Sequence, residues 1–245
     1  MRLPWLDPRD DSQPFPHPDR ALIEPDGLLA AGGSLSPNRL LRAYRLGIFP
    51  WYSSGQPILW WSPDPRLVLL PEQVKISRSL RKTLRKGLFD ITADADFAAV
   101  ITACAQPRCP DQGTWITPEM HRAYCRLHRL GHAHSIEIWH RNELVGGLYG
   151  VAIGRVFYGE SMFSFMTDAS KVALVLLAAQ LKRWEFVVID CQARTDHLSS
   201  MGAIEIPRAT FLELLQYYCP LPGREGRWQL DADLLADLLL SISPP

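Results

Sequence analysis

SIEIWH (135–140), LVGGLYGVAI (144–153) and RVFYGESMF (155–163), then VALVLLAAQL (172–181) and FVVID (186–190), follow one another with little between them. The first three are rich in β-branched and aromatic residues and are separated by turn residues such as Asn142 and Gly154, so they predict an antiparallel meander. The fourth is apolar almost all round, with Thr167 or Asp168 as its cap, and predicts a buried helix. The fifth is a short apolar run that predicts another strand. Helices, a meander, a helix and a returning strand make an α+β or three-layer sheet domain, with a mixed sheet flanked by helices.

Upstream, Thr117–Pro118 opens a helix carrying Met120, Ala123, Tyr124, Leu127 and Leu130, and Gly131 closes it. Asp94 is a candidate cap for a helix through Phe97, Val100 and Ile101. Downstream, Phe211, Leu214, Leu215 and Tyr218 predict a last amphipathic helix. The front of the chain is different. Twelve of the 20 prolines and four of the eight tryptophans lie in the first 71 residues, which forbids long regular elements there. One helix stands out, with Ser36 as cap, Pro37 first, Leu40, Leu41 and Tyr44 inward and Gly47 as stop. The expected division is a small irregular domain over 1–64 and a larger domain over 65–245.

At 245 residues, 47% hydrophobic and 21% charged, the chain is neither disordered nor fibrous. Its opening has no apolar core of the signal-peptide kind, and no run approaches the ~20 apolar residues of a membrane span. Five cysteines, Cys104, Cys109, Cys125, Cys191 and Cys219, without CxxC spacing suit reduced thiols in a cytoplasmic protein. His132 and His134 lack a third partner at metal-ligand spacing and read as structural. Ser170 and Lys171, at a helix start, read as capping and surface residues. No metal and no cofactor are expected.

The 26 basic and 26 acidic residues cancel, which by itself argues against a general nucleic-acid binder. The sum hides a segment. Between Gln73 and Phe89 lie Lys75, Arg78, Arg81, Lys82, Arg85 and Lys86 and no acid, leaving 20 basic against 26 acidic elsewhere. Ser77 caps a helix here, with Leu80 and Leu84 on one face. The cations are either an ordinary solvated face or a grip on a phosphate backbone. Basic residues beside a Trp/Tyr-rich segment suit single-stranded nucleic acid, whose bases stack on aromatic faces.

Asp190 and Gln192 flank Cys191 at the end of FVVID, and strand alternation points both to one side. EPDGLLAAGGSLSP, GIFPWY, ILWWSPDPR, ISRSL, GTWIT, LGHAHSIEIW, LVGGLYG, FYGESMFS and IDCQ occur in that order. Together, from about Phe15 to Arg208, they resemble the leucyl/phenylalanyl-tRNA–protein transferases. The resemblance implies a bacterial, cytoplasmic enzyme that moves Leu, Phe or Met from aminoacyl-tRNA onto proteins beginning with Arg or Lys, marking them for the N-degron pathway without ATP. It also implies a GNAT-like acyltransferase domain behind a family-specific N-terminal one.

The resemblance further implies roles. Asp190 and Gln192 stand at the reaction centre, where Gln192 would orient the attacking amine and Asp190 would polarise that amide and accept the proton. Glu160 would meet the incoming N-terminal residue. Leu148, Phe157, Met162, Leu174, Leu177, Leu181 and Ile189 match an apolar aminoacyl pocket, although Leu174, Leu177 and Leu181 at i, i+3, i+7 equally describe plain core. Trp51 and Trp115, with Tyr44 and Tyr124 close in their motifs, match residues near the terminal adenosine of the tRNA, while Tyr44 and Tyr124 also suit helix core. An acyl-CoA-dependent acyltransferase is the rival, but HRLGHA (128–133), the nearest segment to a pyrophosphate turn, leads into a strand. A non-catalytic RNA-binding module is the second.

Overall fold

The computed structural model describes residues 3–106 and 114–242; Cys109 lies outside them. In the front segment, strands β1 (Trp5–Leu6), β2 (Leu28–Gly32), β3 (Phe49–Pro50) and β4 (Leu59–Trp61) form a small sheet in the order β1-β2-β4-β3. The helix α1 (Pro37–Arg45) interrupts it. Ser36 caps α1 by accepting from the Arg39 amide at 3.2 Å, and Gly47 turns the chain out at φ +70°.

Then follow β5 (Arg66–Leu69), α2 (Arg78–Arg85), β6 (Asp90–Ala93), α3 (Phe97–Cys104), α4 (Pro118–Arg129), β7 (Ala133–His140), β8 (Glu143–Ile153), β9 (Val156–Ser164), α5 (Ala169–Arg183) and β10 (Val188–Gln192). The chain continues through α6 (Asp196–Ser200), β11 (Ile204–Ile206), α7 (Arg208–Tyr218) and α8 (Leu234–Ser241). Seven strands make one sheet, β11-β5-β10-β9-β8-β7-β6. The meander β7–β8–β9 is antiparallel as its sequence predicts, and the crossover through α5 returns β10 parallel to β9. With β5 antiparallel on its other side, β10 makes the sheet mixed, and the α+β class follows.

Alternation along the strands divides the interior. Val156, Tyr158 and Val188 face one apolar cluster with α1, α3, α4 and α7, while Phe157 and Ile189 face another with α2, α5 and α8. The first cluster runs without a break from Leu29, Leu40 and Trp60 of the small sheet's side into Val100, Tyr149 and Phe211.

Several expectations need correction. Asp94 caps nothing: it is buried in a left-handed turn (φ +52°), where its carboxylate accepts from the Ser135 and Trp228 amides at 2.9 and 2.7 Å. Asp96 caps α3 instead, accepting from the Ala99 amide at 3.0 Å. Asp168 occupies the α5 cap position without a capping bond, its carboxylate taken by Thr83 and Lys171, each at 3.0 Å. The helix α7 is not the last, since α8 follows and packs on α5 and α2. The strands β5, β6 and β11 are too short for a legible alternation.

Because α5 is buried on nearly every side, truncation inside it leaves a cavity. Leu176→Ala should lower stability by about 2–5 kcal/mol, read as a drop in the urea midpoint at unchanged m-value.

Candidate active site

The parallel neighbours β9 and β10 each carry a bulge at the point where chemistry is expected. In β9, Gly159 pairs with Gly150 and Ser161 with Tyr149, so Glu160 is the extra residue. In β10, Asp190 pairs with Val68 and Gln192 with Leu67, so Cys191 is extra, and Gln192 takes a left-handed backbone at φ +63°. Bulges re-aim side chains, and they do so here.

The re-aiming overturns the arrangement expected of Asp190 and Gln192. Asp190 is fully buried and both its oxygens are held by Arg66, from Nε at 2.8 Å and Nη2 at 2.6 Å. Its only link to Gln192 is through the backbone amide of that residue, which donates to Oδ1 at 2.9 Å. The side chain of Gln192 turns elsewhere, its Nε2 donating to Glu160 Oε1 at 2.9 Å. Clamped by that guanidinium, the Asp190 carboxylate holds the backbone of Gln192 and does not touch its side-chain amide. Arg66 completes the clamp with Nη1 on the Gly47 carbonyl at 3.1 Å and its guanidinium over the Phe49 and Phe211 rings at 4.9 and 4.8 Å.

Glu160 is the centre of the site. Tyr44 and Tyr124 donate to its two oxygens, each at 2.7 Å, and approach one another at 2.5 Å. Both tyrosines are fully buried, so neither offers a ring face to a nucleotide, and their place beside an adenosine is corrected to a place beneath the carboxyl. Desolvation pushes the Glu160 carboxyl up to about 7, aided by the Asp190 charge and opposed by the bonds from Tyr44, Tyr124 and Gln192. Burial, followed by the Glu160 charge, holds both phenols well above their usual range.

Trp51 and Trp115 do come together. With Tyr52, Trp61, Thr114 and Thr117 they line a cleft of about 830 Å³, in which Trp51 is 50% exposed. Trp61, which sequence reading passed over, steadies Trp51: its Nε1 donates to the Trp51 carbonyl at 2.7 Å and the rings meet edge-on at 5.5 Å. The cleft and Glu160 share a support, because Thr117 caps α4 in the cleft wall and Tyr124 lies two turns along the same helix.

The seven residues matched to an aminoacyl pocket fall in one apolar cluster between the sheet and α5. Leu148, Phe157, Leu174, Leu177, Leu181 and Ile189 are at most 4% exposed, and Met162 is partly buried. Lys75, Arg78, Arg81, Lys82, Arg85 and Lys86 are all exposed on and around α2, whose Leu80 and Leu84 are buried. Among the described residues, no group of three or more His, Cys, Asp or Glu is placed to hold a metal ion, and no helix is long and apolar enough to cross a membrane. His134 is buried against Asp94 at 2.8 Å.

Two family descriptions match the chain: leucyl/phenylalanyl-tRNA protein transferase over residues 68–216, and the N-terminal domain of that transferase over residues 33–64. A leucyl/phenylalanyl-tRNA–protein transferase of Aromatoleum aromaticum is 59% identical over 94% of this chain and 95% of its own. One from an Azoarcus species is 62% identical over 92% and 95%. The chain belongs to this family. It is therefore an aminoacyltransferase. Among solved structures, a GCN5-related N-acetyltransferase from Kribbella flavida matches with 11% identity and a TM-score of 0.35, over 69% of this chain and 60% of that one.

In this transferase, a carboxyl raised from 4.5 to about 7 has a thermodynamic signature. The folded state binds the extra proton between these values, so the stabilisation is complete below about pH 4.5 and lost as pH rises through about 7. Relative to Glu160→Gln, the wild type should lose melting temperature across that window and level off above it. A difference independent of pH would contradict the raised carboxyl.

Proposed function

We propose that the chain transfers Leu, Phe or Met from aminoacyl-tRNA to the α-amine of proteins beginning with Arg or Lys, marking them for the N-degron pathway in the bacterial cytoplasm. The observation that carries the reading is the Gln192–Glu160 pair at 2.9 Å, set at two strand bulges and joined through α4 to the aromatic cleft.

The reaction is aminolysis of an ester that is already activated, so the chemistry asks for neither ATP nor metal. The acceptor nitrogen attacks the ester carbonyl, a C–N bond forms and the bond to the ribose oxygen breaks. A free α-amine titrates near ~7.7–8, so only a modest shift makes it a nucleophile. Gln192, with Nε2 committed to Glu160, turns its carbonyl oxygen to the amine hydrogen and orients the lone pair. Glu160 in its ionised form takes the proton the amine loses and returns it to the leaving ribose oxygen. A carboxyl near pH 7 suits both halves of that exchange. Asp190 and Arg66 hold the backbone of Gln192 in place. Trp51 and Trp115 offer faces on which the terminal adenine stacks.

The apolar cluster of Leu148, Phe157, Met162, Leu174, Leu177, Leu181 and Ile189 accepts the aminoacyl side chain by shape, and the cations around α2 hold the tRNA backbone. Residues 1–64 act as the unit that brings Tyr44 and Trp51 to residues 65–245.

The direct test supplies labelled Leu-tRNA with peptides beginning Arg, Lys or Ala. Transfer to the first two alone is expected, and transfer to none would end the reading. Replacing Arg78, Arg81 and Arg85 together with Ala should weaken tRNA binding and flatten the dependence of its affinity on salt by roughly one to three counterions. An unchanged slope would make α2 an ordinary solvated face.

A further inference from the structure

Residues 219–242 lie beyond the stretch that the family's main domain matches, yet they close over the α5 side of the sheet. Trp228 anchors this strap and is 1% exposed. Its amide donates to Asp94 Oδ2 at 2.7 Å and its Nε1 to the Arg224 carbonyl at 3.1 Å. The indole lies flat on the His134 ring at 3.8 Å and 3°, and the edge of Trp184 meets it at 5.0 Å. Farther along, Gln180 exchanges two hydrogen bonds with Asp231 (3.1 and 2.8 Å), and Arg183 donates to Asp231 and Asp233. The indole therefore has little freedom to move.

Its other aromatic neighbours are Phe186 and Phe157, with ring centroids 6.0 and 5.8 Å away. Phe157 also closes on Gly150, where a Cβ would stand 2.5 Å from the Phe157 Cζ. Only glycine fits there, so the phenyl ring is confined by that backbone as well as by the indole. In a close-packed interior a ring so confined retreats only if a neighbour gives way.

We infer that Trp228 is a positioning residue for side-chain selection: through Phe157 it fixes the floor of the aminoacyl pocket and so limits how large a side chain enters. The inference rests on the reading of function above, in which Phe157 lines that pocket. A pocket that selects by volume separates neighbouring sizes by only about 10- to 200-fold per methylene, so a small retreat of the floor alters the ranking. The strap thus carries a selectivity determinant outside the matched domain.

The experiment is a competition. Leu-tRNA and Phe-tRNA in equal amounts are offered with one Arg-initiated peptide to the full chain, and the ratio of Phe to Leu product is read. A ratio within one reaction is independent of how much protein is folded, so a merely structural loss leaves it alone. Trp228→Phe and Trp228→Leu should each raise it by at least about threefold, as Phe157 settles into the vacated volume. Phe157→Leu, which lowers the floor directly, should move it the same way. A ratio unchanged in both Trp228 variants, or shifted toward Leu, would overturn the inference even with Phe157→Leu responsive. Wild-type protein that transfers neither amino acid would instead sink the reading of function beneath it.

Discussion

Arg66 and Asp190 are both buried to 1% or less, 124 residues apart in sequence, and joined by two hydrogen bonds of 2.8 and 2.6 Å. Such a pair gains little net stability, because desolvating two charges offsets most of their attraction. Removing one partner is another matter, at about 3–5 kcal/mol, since a charge is then stranded. The pair therefore acts as a constraint more than as a glue. It welds β5 to β10, and through the Gly47 carbonyl it fixes the exit of α1 to the same point. Tyr44 on α1 and Gln192 on β10 are thereby registered against each other, and Glu160 between them receives both.

The local backbone around that weld is distorted in a consistent sense. Gln192 sits at φ +63°, a conformation that costs a non-glycine residue about 1–3 kcal/mol. Asp190 Oδ1 offsets part of that cost by accepting the Gln192 amide. The second bulge, at Glu160, drops a carboxyl toward two buried phenols. Without the two bulges, alternation would point Gln192 along with Asp190 into the guanidinium. The site is thus made by interrupting the regularity that builds the sheet.

The two apolar clusters divide the work. On one face lie α1, α4 and the aromatic cleft; on the other lie α5, the cluster around Phe157 and the cations of α2. Glu160, at the mid-strand bulge of β9, and Gln192, at the end of β10, stand between them. An aminoacyl ester has two unlike parts, a nucleotide and an apolar side chain, and a sheet with two differently lined faces can meet both.

The antiparallel meander, the buried helix α5, the helix caps at Ser36, Ser77 and Thr117, and the concentration of cations around α2 were determined by local sequence. Each depends on periodicity, on a side chain bonding an amide three residues away, or on composition, and these act over a few residues. Motif resemblance extended that to the family, and it pointed to Glu160, Gln192, Trp51 and Trp115 as candidate site residues. The partner of Asp190, the true position of Tyr44 and Tyr124, the place of Asp94 and the closing strap of Trp228 were decided by tertiary structure alone. A lone Arg66 in a proline-rich segment gave no local sign of its partner, and a bulge is invisible in an alternating pattern because it adds one residue without changing composition. Charge pairing and desolvation act across space between segments far apart in the chain, so which side chain pairs with which became legible only once the chain was folded.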